Sequence, residues 1–126
     1  MKMNIDGVPY STSAVHSTFS GGSLSINGRT DSNQYEGLTI HILYYEGQTG
    51  TFTFTDHMNS HVKAQFSVKW DSPNVDHHFA MEMGSVTITE VTNKDIKGTF
   101  SMVVKNLESG ETKTLTEGSF YTPLAR

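Results

Sequence analysis

Cysteine is absent from this chain of 126 residues. Disulfide bonds and thiolate metal sites are therefore excluded. No apolar run approaches the roughly 18 residues that a membrane-spanning helix needs, so no transmembrane segment is predicted. A sustained 3.6-residue period is also missing, and we expect no helix of consequence.

Positive charge is scarce and scattered. Nine Lys and Arg residues stand against thirteen Asp and Glu, which gives a formal net charge of −4. Proteins that bind nucleic acid neutralise its phosphates with clustered cationic side chains. The lysines here are spread along the chain, so we expect no nucleic-acid partner.

Alternation of apolar and polar residues is what the chain has in quantity. It is clearest in Gly50–Thr55 and in residues 62–70, where every second residue is apolar. Successive side chains of a strand point to opposite faces, so each such segment has one buried face and one solvated face. The length fits one domain over residues 1–126. We predict an all-β fold with largely meander connectivity, an antiparallel β-sandwich or a flattened small barrel of about nine strands with a filled interior.

Two local features refine this prediction. The pair Asp6-Gly7 is typical of a two-residue hairpin turn, and Ser20-Gly21-Gly22 marks a second turn. Phe79, Met81 and Met83 occupy odd positions, whereas the apolar residues that follow occupy even ones. A change of parity within one strand predicts a β-bulge, which we place at Gly84.

Five segments each have a recognisable sequence pattern. Gly84–Thr89 reads G-x-V-x-I-T, Ile96–Ser101 reads I-x-G-T-F, and Ser109–Phe120 ends in T-x-G-x-F. Near the start of the chain, Ser23–Gly28 reads x-L-x-I-x-G and Ile5–Tyr10 reads I-x-G-x-x-Y. Together these segments resemble a family of uncharacterised small Thr-rich all-β envelope proteins of Bacteroidota, many of them described as lipoproteins.

The resemblance implies a location and a fold, and it implies no catalytic residues. Members of that family carry a leader with an acylated cysteine, and the opening Met1-Lys2-Met3-Asn4 has no apolar leader. We therefore expect a periplasmic or cell-surface protein if a leader was trimmed, and we leave the location open otherwise. A lipid anchor in the natural protein is likewise left open.

Four aromatic residues fall near strand ends that a meander would bring to one end of the domain: Tyr44, Tyr45, Trp70 and Phe79. Alternation places all of them inward except Tyr45, which we expect to be exposed. With carboxylates in the adjoining loops they would form a shallow site for a sugar or a peptide. The alternative is that Tyr44, Trp70 and Phe79 only fill the end of the hydrophobic core. The ligand-binding residues that we predict are Tyr45, Trp70, Asp71 and Asp76.

Histidines offer a weaker hypothesis. Asp76, His77 and His78 form a candidate metal site, with Glu46 or Glu108 as a further ligand, whereas His57 and His61 flank a different turn. Successive turns of a meander lie a strand length apart, about 33 Å for ten residues, so the two histidine groups should not share one ion. The alternative is that all of these histidines are solvated turn residues.

No nucleophile elbow or other catalytic constellation is present in the sequence, so we predict no enzymatic activity and no cofactor. The leading hypothesis is an envelope-associated binding or interaction module for a glycan, a peptide or a partner protein. Its first alternative is a lipocalin-like carrier of a small ligand. A metal-binding protein is the second.

Overall fold

Ten β-strands account for most of the residues that the structure describes. In the computed structural model these residues are 1–12, 14–30, 36–68 and 77–125. Within them, no helix could span a membrane. The strands are β1 (Lys2–Ile5), β2 (Val8–Ser11), β3 (Ala14–Ser20), β4 (Ser23–Arg29), β5 (Gly37–Leu43), β6 (Gly50–Thr53), β7 (Val62–Ser67), β8 (His78–Val91), β9 (Asp95–Lys105) and β10 (Thr112–Ala125).

Seven of these strands close into a barrel, in the order β10-β3-β4-β5-β7-β8-β9. Closure follows because β9 pairs with both β8 and β10. All of the pairs are antiparallel except a short parallel contact of Leu124 and Ala125 in β10 with Ser17 and Thr18 in β3. The predicted all-β fold is confirmed, and of its two predicted forms the structure has the barrel.

Two hairpin turns follow the predicted chemistry. Asp6 and Gly7 both have positive φ, 51° and 84°, which is the conformation of a type I′ turn between β1 and β2. Gly21 and Gly22 have φ of 62° and 78° between β3 and β4. Both turns match the right-handed twist of the strands that they join.

Strands β6 and β7 depart from a simple meander, because both pair with β8. Gly50 pairs with Ile88 and Gln65 pairs with Ala80. From Ala80 to Ile88, β8 advances by eight residues, whereas the opposite segment advances by fifteen residues from Gly50 to Gln65. The opposite segment therefore has seven extra residues. The two strands therefore occupy one strand position of the sheet, interrupted by a loop over residues 54–61, and the neighbour of β5 is β7.

The interior of the barrel is filled by inward side chains. Leu24, Ile26, Leu38, Ile40 and Ile42 are fully buried at alternate positions of β4 and β5. They belong to one cluster with the inward residues of the other strands. Burial of apolar area on this scale is the main favourable term in folding.

Glycine and phenylalanine oppose each other twice across β9 and β10. Gly118 pairs with Phe100, and Gly98 pairs with Phe120. The two rings stack with centroids 6.4 Å apart. A Cβ atom on Gly118 would lie within 2.5 Å of the Phe100 ring, and one on Gly98 would lie 2.6 Å from Phe120 Cζ. Each glycine therefore leaves the space that the opposite ring fills, which explains the recurring G-T-F and G-x-F patterns.

A bulge in β8 lies close to the predicted one. The register with β9 shifts between Met81 and Met83, two residues before the predicted position. Met81 points inward and is 1% exposed, whereas Met83 is 59% exposed and faces out. Grouping Met83 with the inward residues was therefore wrong. Gly84 has φ of 123°, a value that favours glycine, directly after the shift.

Candidate functional site

Alternation predicts that Tyr44 points inward and that Tyr45 is exposed, and the structure shows the reverse. Strand β5 ends at Leu43, and Tyr44 has φ of 56°, which reverses the parity of the next residue. Tyr45 is 2% exposed and Tyr44 is 75% exposed, so the predicted exposure was wrong for both. Tyr45 packs against Phe19 and Phe52, with ring centroids 5.3 and 5.8 Å away, and its hydroxyl donates to the Gln48 carbonyl at 2.6 Å.

Among the described members of the predicted aromatic group, Phe79 does not lie at the same end of the barrel as Tyr44 and Tyr45. Ile42 pairs with Val62 and Gly37 with Ser67, so the end of β7 lies at the opposite end of β5 from Tyr45. The error arises because β6 does not lie between β5 and β7, which removes one crossing of the barrel. Three of the predicted ligand-binding residues, Trp70, Asp71 and Asp76, lie outside the described residues.

The predicted inward position of Phe79 is confirmed, since its side chain is 1% exposed. Glu108 lines a depression together with His78, as expected for loops at the same end. Glu46 follows Tyr45 at the other end, so its grouping with His77 and His78 was wrong.

His77 and His78 are described, whereas Asp76, the third member of the predicted metal set, is not. His78 Nδ1 lies 2.8 Å from Ser67 Oγ and 3.2 Å from Gln65 Nε2. Within the described ranges, no three His, Asp or Glu side chains are grouped so that they could hold a metal ion.

The two histidine groups are closer together than a full strand length. His57 Nε2 contacts Glu82 Oε2 at 2.9 Å. Glu82 lies four residues along β8 from His78, about 13 Å of strand. The predicted separation of about 33 Å was too large, because β7 has six residues rather than about ten.

A groove of about 490 Å³ lies on the outside of the barrel, across β4, β5, β7 and β8. We call it the outer groove. It opens where the pairing of β7 with β8 ends, because Gln65 and Ala80 form the last pair on that side. Its lining residues are Asn27, Thr39, His41, Phe54, His57, Lys63, Ala64, Gln65, Ala80 and Met81.

The bottom of the outer groove is a row of polar side chains from adjacent strands. Asn27 pairs with Thr39, and Thr39 pairs with Gln65. Thr39 lies between two inward residues and so faces out, yet it is only 5% exposed. Its hydroxyl donates to Asn27 Oδ1 at 2.8 Å. An outward side chain that is nevertheless covered shows that the surface is concave here.

His41 lies in the next row of the same face, with Ser25 and Lys63 on either side. Its Nδ1 atom is 2.8 Å from Ser25 Oγ. Partial burial lowers the pKa of His41, because the charged imidazolium is less well solvated there. The imidazole is therefore a neutral donor and acceptor at neutral pH.

The loop over residues 54–61 forms one wall of the outer groove. The Asp56 carboxylate accepts hydrogen bonds from the backbone N–H groups of Met58 and Asn59, at 2.8 and 2.7 Å. These bonds lower the pKa of Asp56, the contact with Asn59 most. Ser60 is 3% exposed, and its hydroxyl donates to the Val62 carbonyl. The wall is thus held by its own hydrogen bonds.

His57 joins this wall to the barrel. Its imidazole contacts Glu82, which also lies 4.0 Å from Lys105 Nζ. The Phe54 ring packs edge-on against His57, with centroids 5.3 Å apart. The contacts of His57 with the Glu82 carboxylate and with the Phe54 ring hold the loop in place beside the groove.

A second depression of about 540 Å³ adjoins the outer groove and shares Gln65 and Ala80 with it. His78, Phe79, Leu107 and Glu108 complete its lining. Alternation assigns Gln65 and Lys63 to a solvated face but does not indicate that this face is concave. The concavity depends on the shape of the loop between β6 and β7, a segment that the sequence marks only as a turn.

A comparison with family models identifies the relatives of this chain. The family described as "Domain of unknown function (DUF6252)" matches residues 1–122. The chain belongs to this family. The DUF6252 match covers both ends and the middle of the barrel, and it agrees with the expected resemblance to a family of uncharacterised all-β proteins. No curated protein and no solved structure matches the chain significantly.

Proposed function

We propose that this DUF6252 domain is a non-enzymatic binding module of the cell envelope, and that it binds an oligosaccharide in the outer groove. The observation that carries this proposal is the polar row at the bottom of the groove, Asn27, Thr39 and Gln65, in which Thr39 is 5% exposed and Gln65 is open to solvent. Each of these side chains both donates and accepts hydrogen bonds. Sugar hydroxyls do the same, so the row matches a ligand rich in hydroxyl groups.

The apolar parts of the groove fit the same class of ligand. Ala80 leaves room above the sheet, and the half-buried Phe54 ring stands in the wall. Binding sites for small molecules combine such apolar surface with a few placed polar groups. The adjoining depression extends the track past Gln65, which favours an oligosaccharide over a single sugar.

The filled interior argues against the alternative of a lipocalin-like carrier. A carrier needs an internal cavity of several hundred Å³. Here the inward side chains form one buried cluster. A ligand that binds this domain therefore binds on its outside.

The cell-envelope location and the absence of enzymatic activity are further parts of the proposal. The location rests on the resemblance of segments near both ends of the chain to envelope lipoproteins. The proposed lack of activity rests on the side chains in and beside the groove: Ser25 and His41 are cross-strand neighbours, and such a pair stabilises the sheet. Fractionation of cells that express the gene from its natural start tests the location.

The binding proposal is tested with an oligosaccharide array, followed by calorimetry on the best ligand. We expect Gln65→Ala to weaken binding by about 2- to 12-fold, the loss of one hydrogen bond. Ala80→Trp fills the groove from an outward position and should weaken binding by about tenfold or more.

Thr89→Trp is the matched control, because Thr89 is exposed on the same strand and does not line the groove. It should bind like the wild-type protein. The proposal is wrong if no oligosaccharide binds, if Ala80→Trp binds as well as Thr89→Trp, or if the array ligand turns out to occupy another surface.

A further inference from the structure

The sheet has two ends among the described residues, β2 and β6, and their outer edges differ. An outer edge carries backbone N–H and C=O groups that no neighbouring strand uses. In an edge strand, the N–H and C=O groups of every second residue point away from the sheet. The register therefore shows which residues carry the unused groups.

On β6 the outward groups belong to Thr51 and Thr53. The Phe54 N–H donates to the Gly84 carbonyl at 3.0 Å, which makes Phe54 and Gly84 a hydrogen-bonded pair. By alternation Phe52 is bonded to Val86, and the residues on either side face away from β8. No described residue is a partner for the backbone groups of Thr51 and Thr53.

On β2 the outward positions are those of Pro9 and Ser11. Ile5 and Val8 close the two-residue turn and are a hydrogen-bonded pair, so the next residue, Pro9, faces out. Proline has no N–H group and blocks the addition of a further strand. Of the two edges, the one at β2 is protected, and the one at β6 is open.

A cleft of about 320 Å³ lies along the open edge of β6. Its lining residues are Thr51, Phe52, Thr53, Thr55, Asn59, His61 and Val62. The returning arm of the loop, from Asn59 to Val62, forms the opposite wall. A cleft with two walls admits one extended chain more readily than the edge of a second folded barrel.

The lining of this cleft carries neither a carboxylate nor a lysine or arginine side chain. Hydroxyl groups of three threonines line one wall, and Phe52 contributes apolar surface, whereas the side chain of Val62 is fully buried. The matching occupant is uncharged and has small or β-branched side chains, of which alternate ones face the apolar surface.

We propose that the open edge of β6 binds an extended, uncharged peptide segment as an added β-strand. The peptide backbone pairs with Thr51 and Thr53, and its alternate side chains lie against Phe52. This site differs from the outer groove in its residues and in its ligand, because it recognises a peptide backbone.

The experiment uses the full chain and a blocked hexapeptide of alternating valine and threonine. Binding is followed by NMR of the backbone amides. We expect the amide protons of Thr51 and Thr53 to shift and to become protected from exchange. The same peptide N-methylated at alternate residues cannot donate along one edge and should lose at least about tenfold in affinity.

Thr53→Pro removes one outward N–H and should abolish binding, whereas Ser11→Pro makes the matched change on the outward side of β2 and should not. The N-methylated peptide keeps the test valid if Thr53→Pro does not fold. The proposal is overturned if the peptide does not bind, if N-methylation has no effect, if the shifts map elsewhere, or if light scattering shows that the edge joins two copies of the chain.

Discussion

The packing of Gly118 against Phe100 leads to a quantitative prediction. In Gly118→Ala the new methyl group would lie within 2.5 Å of Phe100 Cδ2 and Cζ. The ring has little room to retreat, because Phe100 is 5% exposed and stacks on Phe120. Overpacking of this kind costs about 2 kcal/mol, and alanine regains about 0.5 kcal/mol over glycine through the unfolded chain.

The net loss for Gly118→Ala is therefore about 1.5 kcal/mol, which lowers Tm by about 6 °C in a domain of this size. The assay is thermal unfolding followed by circular dichroism, with Ser119→Ala, an exposed neighbour on the same strand, as the control. Ser119→Ala should change stability by less than about 0.5 kcal/mol.

A double variant isolates the contact from other effects of the substitution. Phe100→Leu makes room for the new methyl group, so the loss in Gly118→Ala with Phe100→Leu should be smaller than the sum of the two single losses by about 1 kcal/mol. Gly118→Ala with wild-type stability, or a double variant with additive losses, would refute the reasoning.

Two further predictions concern Tyr45 and His41. Tyr45→Ala should lose about 3 to 5 kcal/mol in urea unfolding because the ring is buried, whereas the exposed Tyr44→Ala should lose less than about 0.5 kcal/mol, and equal losses would contradict the reversed parity. Burial lowers the pKa of His41 below its unfolded value, so the unfolded chain binds more protons and wild-type stability falls as the pH drops below about 6.5. His41→Gln should remove this part of the pH dependence between pH 7.5 and 5, and an unchanged slope would show that His41 does not cause it.

Much of the barrel was predictable because strand alternation and turn chemistry are local. The period-2 pattern places Leu38, Ile40 and Ile42 inward, and the Asp6-Gly7 pair has the positive φ values of its turn type. Even the bulge in β8 was detectable from a change of parity, although its position was two residues off. These features depend on residues that are close together in sequence.

The candidate site was not predictable to the same extent. The outward face of Gln65 and Lys63 followed from alternation, but the groove above it depends on the loop over residues 54–61. The exposure of Tyr45 was predicted wrongly because one residue with positive φ, Tyr44, reverses the pattern. A single backbone angle of this kind leaves no signal in a hydrophobic pattern.

By itself, the sequence determined the class of fold, the inward residues of most strands and the absence of disulfide bonds, because each depends on composition or on a period of two. Only the tertiary structure decided that the sheet closes, that β6 and β7 share one strand position, and that β6 retains an open edge. Strand pairing joins residues that are distant in the chain, and several registers satisfy the same alternation. The physical choice among them is made by packing, as in the two glycines that make room for Phe100 and Phe120.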